Sequence, residues 1–252
     1  MNHVAGENKI KLIKIFELFL KKIIFFVLKV VFPELSSKSH DVVISRALDA
    51  PWKTNHDFQK TYGIAKNYSL NDINRLYALW ELCRQQANEV GDAIEIGTWK
   101  GGSSLIIAEA LSQNTNKFFF DTFSGIPKIQ GKNDKNYSGG EHSGASKENV
   151  IKLLETSAIQ NFLVTEDIFT EKYLSILNIR KLKFCHIDVD TYESTSQIFK
   201  AIEPCLFSNS VIVIDDFNIH KATGIKKFVN QINTDDFIVI NNYVGQAIII
   251  KK

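Results

Sequence analysis

Acidic residues follow two apolar stretches in the second half of the chain. Asp188 ends the predicted strand 182–188 and Asp190 lies two residues beyond it, whereas the pair Asp215-Asp216 comes directly after the apolar run 210–214. Apolar stretches of this length are typical of buried strands, and the carboxyl ends of parallel strands share one edge of a sheet. Hard divalent cations bind clustered oxygen ligands. The spacing therefore predicts a divalent-cation site at the carboxyl edge of a parallel sheet.

A third predicted strand, 92–96, leads into a glycine-containing turn at 97–102. The glycine spacing differs from the GxGxxG fingerprint that cradles a dinucleotide pyrophosphate. Glu95, near the end of this strand, suits a ligand with a cationic amino-acid end. Asp121, at the end of the next predicted strand, suits a ribose diol. Each feature alone also fits a purely structural role, but together they predict S-adenosylmethionine as a cofactor.

Four segments resemble the macrocin O-methyltransferase family in sequence and in order. They are EIGTWKGGSS at 95–104, DTFSGIP at 121–127, DVDTYEST at 188–195 and IDDF at 214–217. The resemblance covers about residues 60–250, and the DVDTYEST block followed by the aspartate pair is its most specific part. It implies a class I methyltransferase fold, S-adenosylmethionine as methyl donor, and a magnesium ion that helps to methylate a sugar hydroxyl.

The resemblance also implies roles for the acidic residues. Asp188, Asp215 and Asp216 match the family's magnesium ligands, which leaves Asp190 with a supporting or structural role. A sugar hydroxyl has a pKa far above neutrality, so its deprotonation needs a bound metal and a neighbouring carboxylate. We therefore predict Asp188 as the catalytic base. The alternative for Asp215 and Asp216 is a solvated loop after a core strand.

Matching by position also implies the donor contacts. Glu95 and Gly97 would bind the methionine end of the donor, and Asp121 would bind its ribose. The turns after the first two strands would supply further contacts, from Thr98, Trp99, Gly101, Ser103, Phe123, Ser124 and Gly125.

The adenine contacts are the least specific of these assignments. Glu166 and Asp167, after the third strand, are placed to reach the adenine amino group. The family pattern usually contains glycine at this point, whereas the segment 165–167 of this chain contains none. Charged loop residues are commonly only solvated. Trp99, in the first turn, fits a core anchor as well as a donor contact.

A polar, glycine-containing stretch at about 128–145 follows the second predicted strand. A loop in this position can close over a bound substrate and exclude water, so we predict a lid. Tyr137 could stack on a sugar ring, and His142 could bind a hydroxyl or share in proton transfer. An isolated loop histidine, however, is commonly a solvated surface residue.

Helices and strands alternate through most of the chain. Apolar periodicity predicts helices at 70–87, 102–113, 145–158, 194–203 and 221–232, and strands at 92–96, 117–121, 161–165, 182–188, 211–215, 237–240 and 246–250. This alternation predicts an α/β fold with a doubly wound, mostly parallel, seven-stranded Rossmann-like sheet. The closing hairpin supplies an antiparallel edge.

The N-terminal segment differs from the rest in composition. Residues 10–32 are rich in Ile, Leu, Phe and Val, and their six charged side chains fall within one arc of a helix. We predict an amphipathic helix and linker at 1–40 and a methyltransferase domain at 41–252. Interruption of the apolar run by charges argues against a membrane span, and no small-residue cleavage site follows the run, which argues against a signal peptide. The apolar face could contact a second subunit, which we favour, an anionic membrane surface, or its own domain.

Composition limits the remaining choices. A chain of 252 residues with 44% hydrophobic content can form one catalytic α/β domain, and a formal net charge of +2 disfavours a nucleic-acid partner. Cys83, Cys185 and Cys205 lack metal-binding spacing, which predicts buried reduced thiols in a cytoplasmic protein. The N-terminal helix leaves the inner membrane surface as an alternative location.

Three functions fit these observations. The favoured one is magnesium- and S-adenosylmethionine-dependent methylation of a sugar hydroxyl on a glycan, a nucleotide sugar or a glycosylated metabolite, as in polysaccharide biosynthesis. A catechol-like phenol as acceptor would need an aromatic and apolar pocket, which the polar lid disfavours. A non-catalytic scaffold that retains the fold is disfavoured by the intact Asp188, Asp215 and Asp216.

Overall fold

The computed structural model describes residues 15–16, 18–24, 26–28, 30–31, 49–128, 133–134, 136–219 and 222–252. The chain divides into two compact units, Met1–Asp49 and Ala50–Lys252. The predicted domain boundary at 40–41 lies outside the described residues. In the first unit, the described residues between 15 and 31 are helical, and large apolar side chains such as Phe16 and Phe26 are 64% and 70% exposed. None of the helices in the described ranges has the length and apolar character needed to cross a membrane.

The second unit contains one seven-stranded sheet. Its strands are β1 Asp92–Ile96, β2 Lys117–Asp121, β3 Phe162–Glu166, β4 Leu182–Ile187, β5 Leu206–Ile214, β6 Phe237–Asn241 and β7 Ala247–Lys251. Their order across the sheet is β3-β2-β1-β4-β5-β7-β6. The first five strands are parallel, whereas β7 is antiparallel to both β5 and β6. This arrangement confirms the predicted fold, including the antiparallel closing hairpin.

Seven α-helices of the described part of this unit surround the sheet. They are α1 His56–Ala65, α2 Ile73–Gln86, α3 Gly102–Ala110, α4 Lys147–Thr156, α5 Lys172–Ile176, α6 Tyr192–Ile202 and α7 Thr223–Val229. Side chains cap several helix starts, as where Asp72 accepts hydrogen bonds from the backbone N–H groups of Asn74 and Arg75. The sequence pattern predicts five of these helices but not α1 or α5.

Alternating side chains divide the core between the two faces of the sheet. Ile94, Cys185 and Ile212 face one helix layer, which includes residues of α6 and α7. Ala93 and Phe184 face the other layer, which includes residues of α1 to α4. Glu95 and His186 share this second face because side chains alternate along a strand. The three cysteines are buried and free, as predicted.

The turn after β1 touches the end of β4 through Gly97. Gly97 has a φ of +96°, and a Cβ atom built on it would lie 1.7 Å from the carbonyl oxygen of Asp188. The N–H of Asp188 donates to the carbonyl of Ile96, which brings the two strand ends together. Only glycine fits this position, because it combines left-handed backbone with direct backbone contact.

Substituting Gly97 therefore tests the close approach of the two strand ends. Gly97→Ala should lower the free energy of unfolding by about 3 kcal/mol or more, because the methyl group must displace backbone as well as adopt a strained φ. Urea denaturation would measure the change. Gly63→Ala in α1 is the matched control, since no heavy atom lies within 4 Å of the added Cβ. The control should be stabilised by up to about 1 kcal/mol. Equal stability of the two variants would contradict the contact.

Candidate active site

A cavity of about 540 Å³ opens at the carboxyl edge of the sheet. Its wall includes parts of the turn after β1, the end of β2, the predicted lid and the start of α2. Ten of the sequence-predicted site residues line it: Gly97, Thr98, Trp99, Ser103, Asp121, Gly125, His142, Asp167, Asp188 and Asp216. Carboxylates and a glycine turn that are far apart in sequence therefore face one space.

Six other predicted site residues do not line this cavity: Glu95, Gly101, Phe123, Ser124, Glu166 and Asp215. Gly101 precedes α3 with a φ of +90° and packs toward Val150. Phe123 packs against the core on the α1–α4 face, and Glu166 is an exposed residue at the end of β3. Asp167, which does line the cavity, accepts hydrogen bonds from Lys172 and Tyr173.

Asp121 connects the turns that follow β1 and β2. Its Oδ2 accepts a hydrogen bond from the N–H of Trp99 at 2.7 Å, and its Oδ1 accepts one from the N–H of Phe123 at 2.7 Å. Both of these partners have left-handed φ angles, +47° and +51°. One carboxylate therefore holds two strained turns. Each carboxylate oxygen has a second lone pair, so Asp121 can also accept a hydrogen bond from a ligand in the cavity.

The carboxylates predicted to bind metal lie close together. Oxygens of Asp188 and Asp215 and a ring nitrogen of His186 all lie within 4.8 Å of one another. Asp215 is 1% exposed, and Asp216 follows it with a φ of +59°. The structure thus brings together Asp188 and Asp215, two of the three predicted ligands, and adds His186 to them, whereas Asp216 lies outside this group.

Arg75, in the first turn of α2, and Asn71, two residues before this helix, contact these carboxylates. Arg75 Nη1 donates to Asp215 Oδ1 at 2.8 Å and to Asp216 Oδ1 at 3.1 Å. Asn71 Nδ2 donates to Asp215 Oδ2 at 3.0 Å and to Asp188 Oδ2 at 3.5 Å. The sequence pattern does not predict either residue for the site. The available signal is topological: α2 leads directly into β1, so its start lies at the carboxyl end of that strand.

The three aspartates of the cluster differ in the pKa of their carboxyl groups. Burial alone would raise the pKa of Asp215, but His186 and Arg75 outweigh it and lower this pKa to about 2. Burial, a hydrogen bond with Asp190 and the charge of Asp215 raise the pKa of Asp216 to about 8. Burial and the charges of Asp215 and Asp216 raise the pKa of Asp188 well above its ordinary value. Without a bound cation, Asp188 therefore favours its neutral form more than an ordinary aspartate does.

Glu95 lies beneath the cavity wall, where it contacts His186. It is fully buried, accepts a hydrogen bond from Ser104 Oγ, and has Oε1 at 2.8 Å from His186 Nδ1. Burial lowers the pKa of His186, but hydrogen bonds to Asp215 and Glu95 outweigh this effect and raise it to about 10. The expected contact of Glu95 with the methionine end of a donor does not fit this placement, because its carboxylate is buried and already paired.

The predicted lid contacts the cluster through Tyr137. The hydroxyl of Tyr137 donates to Asp190 Oδ1 at 3.1 Å, and burial together with the charges of Asp190 and Asp216 raises the pKa of this phenol. Asp134 Oδ1 accepts a hydrogen bond from the N–H of Tyr192 at the start of α6. His142 is exposed at the cavity, with a φ of +62°.

The donor set of the cluster fits a hard divalent cation. Oxygens of Asp188 and Asp215 converge at one edge of the sheet, and the amide of Asn71 donates to both. The Arg75 guanidinium connects Asp216 to Asp215. These oxygen ligands are those that magnesium prefers. Cation binding would require the contacts of Arg75 and Asn71 to open.

Comparison with known proteins identifies the family of this chain. The family model described as Macrocin-O-methyltransferase (TylF) matches residues 65–242, more than half of the chain. The chain belongs to the macrocin O-methyltransferase family. The matched region contains α2, the turn after β1, Asp121 and the carboxylate cluster, so the resemblance predicted from four motifs is confirmed.

Two curated O-methyltransferases match part of the chain. Demethyldecarbamoylnovobiocin O-methyltransferase of Streptomyces niveus is 22% identical over 144 residues, which are 52% of this chain and 54% of that protein. The 8-demethyl-8-(2,3-dimethoxy-alpha-L-rhamnosyl)-tetracenomycin-C 4'-O-methyltransferase of Streptomyces olivaceus is 24% identical over 140 residues, which are 51% of this chain and 54% of that protein. The chain spans about half the length of the curated relatives it matches.

Solved structures show the same fold at low sequence identity. The O-methyltransferase NovP has a TM-score of 0.62 at 19% identity and covers 73% of this chain and 82% of its own. The calicheamicin methyltransferase CalS11 has a TM-score of 0.61 at 18% identity, with coverage of 85% and 99%. An O-methyltransferase from Bacillus cereus, solved in complex with SAH, has a TM-score of 0.51 at 14% identity, with coverage of 91% and 97%. The fold of this macrocin O-methyltransferase family member is therefore that of class I methyltransferases.

Removing the Arg75 charge tests its role as counter-ion in the absence of divalent cations. Arg75→Met should lower the free energy of unfolding by about 3–5 kcal/mol, because it leaves the buried Asp215 charge without its closest cation. Arg84→Met, at an exposed position near the end of the same helix, should change it by less than about 0.5 kcal/mol. Denaturant melts in chelator would measure both. Similar values for the two variants would show that Asp215 does not depend on Arg75.

Proposed function

We propose that this protein is an S-adenosylmethionine- and magnesium-dependent O-methyltransferase that methylates a sugar hydroxyl. The observation that carries the proposal is the shared cavity. Asp188 and Asp216 line the same space as the glycine turn after β1 and Asp121. A donor held at the turn would thus lie beside the carboxylate cluster, and membership of the family supports methyl transfer between them.

The donor would bind against the turns after β1 and β2. Gly97 leaves backbone exposed at the cavity, and Asp121 offers its remaining lone pairs to ribose hydroxyls. Trp99 Nε1 is a buried donor without a partner among the described residues, which supports a ligand contact there over a purely structural role. Asp167 lies in the cavity wall on the side of β3, where it could meet the adenine.

Asp188, Asp215 and Asp216 would hold the magnesium ion. When bound, magnesium supplies Lewis-acid stabilisation of a deprotonated hydroxyl and a fixed position for it. The chain's own residues do the rest. Asp188, which lines the cavity, would accept the hydroxyl proton, and the lid residues Tyr137 and His142 would enclose the acceptor and exclude water.

A sugar acceptor is supported by the relatives and by the lid. The curated relative from Streptomyces olivaceus has a rhamnosyl compound in its name, and a CalS11 structure is described as a TDP-rhamnose 3'-O-methyltransferase. The cavity wall offers polar groups suited to hydroxyls, among them Asn136, Tyr137 and His142. A glycosylated metabolite, a nucleotide sugar or a glycan fits this chemistry.

Incubation with labelled donor and candidate acceptors tests the activity. The purified chain should transfer label to at least one glycosylated compound, and mass spectrometry should place the methyl group on a sugar oxygen. Free sugars, nucleotide sugars, glycosides and catechols form the acceptor panel. Transfer to catechols alone would contradict the sugar proposal, and donor binding without transfer to any acceptor would favour a scaffold.

The metal requirement is tested by Asp215→Asn. Because changes beside metal ligands already reduce activity by about 10–100-fold, loss of a ligand should reduce turnover by about 100-fold or more. Affinity for S-adenosylhomocysteine, measured by calorimetry, should stay within about threefold, since Asp215 does not line the cavity. Asp235→Asn, at an exposed position, is the matched control. Full activity of Asp215→Asn, or of the unaltered protein in chelator, would remove the metal from the proposal.

The N-terminal helix is proposed to form a subunit interface. Its described part exposes apolar side chains along most of its circumference, such as Ile15, Phe19, Ile23 and Phe26, and such a surface tends to be covered by a partner. An anionic membrane surface is the alternative, because lysines interrupt the apolar run and each adds up to about 1 kcal/mol of attraction near anionic lipid.

Deletion of residues 1–34 distinguishes these partners. The shortened protein should remain folded but become monomeric or prone to aggregation, as measured by light scattering beside the full chain. Co-sedimentation with anionic liposomes is the second measurement. An unchanged dimer that has lost liposome binding would overturn the interface and assign the helix to the membrane surface.

A further inference from the structure

Glu95 and His186 are two fully buried ionisable residues that the proposed reaction does not use. Both are 0% exposed, and neither is part of the described cavity wall. Strand register pairs them directly, Glu95 on β1 beside His186 on β4. Burying a carboxylate is unfavourable unless it is paired, so the pair calls for a structural or functional reason.

The two residues form a continuous chain of contacts to Asp215. Ser104 Oγ, on the helix that follows the glycine turn, donates to Glu95 Oε2. Glu95 Oε1 lies 2.8 Å from His186 Nδ1, and His186 Nε2 lies 3.4 Å from Asp215 Oδ2. Each ring nitrogen therefore faces a different carboxylate. A carboxylate that orients a histidine, which in turn orients another group, is a recurrent arrangement around metal sites.

His186 could instead be a direct metal ligand, since its nitrogen lies near oxygens of Asp188 and Asp215. The contacts argue against this role. Nδ1 faces Glu95 and Nε2 faces Asp215, so neither nitrogen is left to bind a cation without breaking one of these contacts. The ring is also enclosed on the helix-packed face of the sheet.

The partners of Asp215 fall into two groups. Arg75 and Asn71, from the N-terminal end of α2, contact oxygens that a cation would also need. His186 and Gln246 are completely buried and approach Oδ2 from the sheet, at 3.4 Å and 3.3 Å. If a cation displaces the first pair, only the second pair of these side chains remains to hold the carboxylate.

We propose that His186, held in place by Glu95, is a positioning residue that fixes the Asp215 carboxylate for divalent-cation binding. The inference rests on the proposed magnesium site. In this proposal Glu95 supports the metal site through His186 and does not contact the methyl donor. It also connects the metal site to α3 through Ser104.

Two substitutions of His186 separate its two contacts. The amide of glutamine reaches about as far as Nε2, whereas the amide of asparagine reaches only about as far as Nδ1. His186→Gln can therefore still hold Asp215, and His186→Asn can hold only Glu95. Mn²⁺ serves as the probe, with free Mn²⁺ quantified by electron paramagnetic resonance. His186→Asn should bind Mn²⁺ about 10–100-fold more weakly than the unaltered protein. His186→Gln keeps the contact with Asp215 but loses Glu95, so its affinity should fall between the two.

Three controls keep the result specific. Lys117→Met disturbs a buried polar residue at the opposite end of the sheet and should leave Mn²⁺ affinity unchanged. S-adenosylhomocysteine affinity, measured by calorimetry, should be equal in both His186 variants and so report an intact fold. Electron spin echo spectra of bound Mn²⁺ should show no nitrogen coupling that depends on His186.

Three results would each contradict a different claim. Equal Mn²⁺ affinity in His186→Asn, His186→Gln and the unaltered protein would overturn the positioning role while leaving the metal site intact. A nitrogen coupling lost in both variants would overturn it in favour of direct ligation. An unaltered protein that binds no Mn²⁺ would overturn both this inference and the metal part of the proposed function.

Discussion

The mutual repulsion of carboxylates at one sheet edge is the constraint on which this site depends. Asp188, Asp215, Asp216 and Asp190 converge there, and their burial would be unfavourable without compensating groups. Compensating side chains approach from two directions: Arg75 and Asn71 from the N-terminal end of α2, and His186 from within the sheet. In the proposed function, the same repulsion would favour the binding of an added cation.

Asp121 stabilises two turns and also lines the cavity in which we propose that the donor binds. Its two oxygens hold the backbone of Trp99 and Phe123 in left-handed conformations, and it faces the cavity. Loss of affinity on substituting such a residue measures both the missing ligand contact and the relaxed turns. Lost affinity alone therefore does not separate the two roles.

The sequence predicts the sheet well because its strands are short apolar runs bounded by turns. Periodicity places β1 and β2 at their observed limits, and strand-end acids predict the cluster. The contacts of the Glu95 side chain are harder to predict from the sequence, because only the strand register shows that His186 lies beside it. Arg75 and Asn71 are missed because helical periodicity identifies the buried face of α2 but not what its first turn touches. Helix α5 has only five residues, too few to show a helical period. Helix α1 does bury Phe58, Thr61 and Ala65 at helical spacing, so its pattern is present and the sequence prediction overlooks it.

The contact of Gly97 with the Asp188 carbonyl has an evolutionary consequence. It joins the turn proposed to hold the methyl donor to the proposed base through main-chain atoms alone, without any side chain of the lid. The spacing between donor and base is therefore independent of residues 128–145. Related enzymes could exchange this loop and so acquire new acceptors while inheriting the reaction chemistry unchanged.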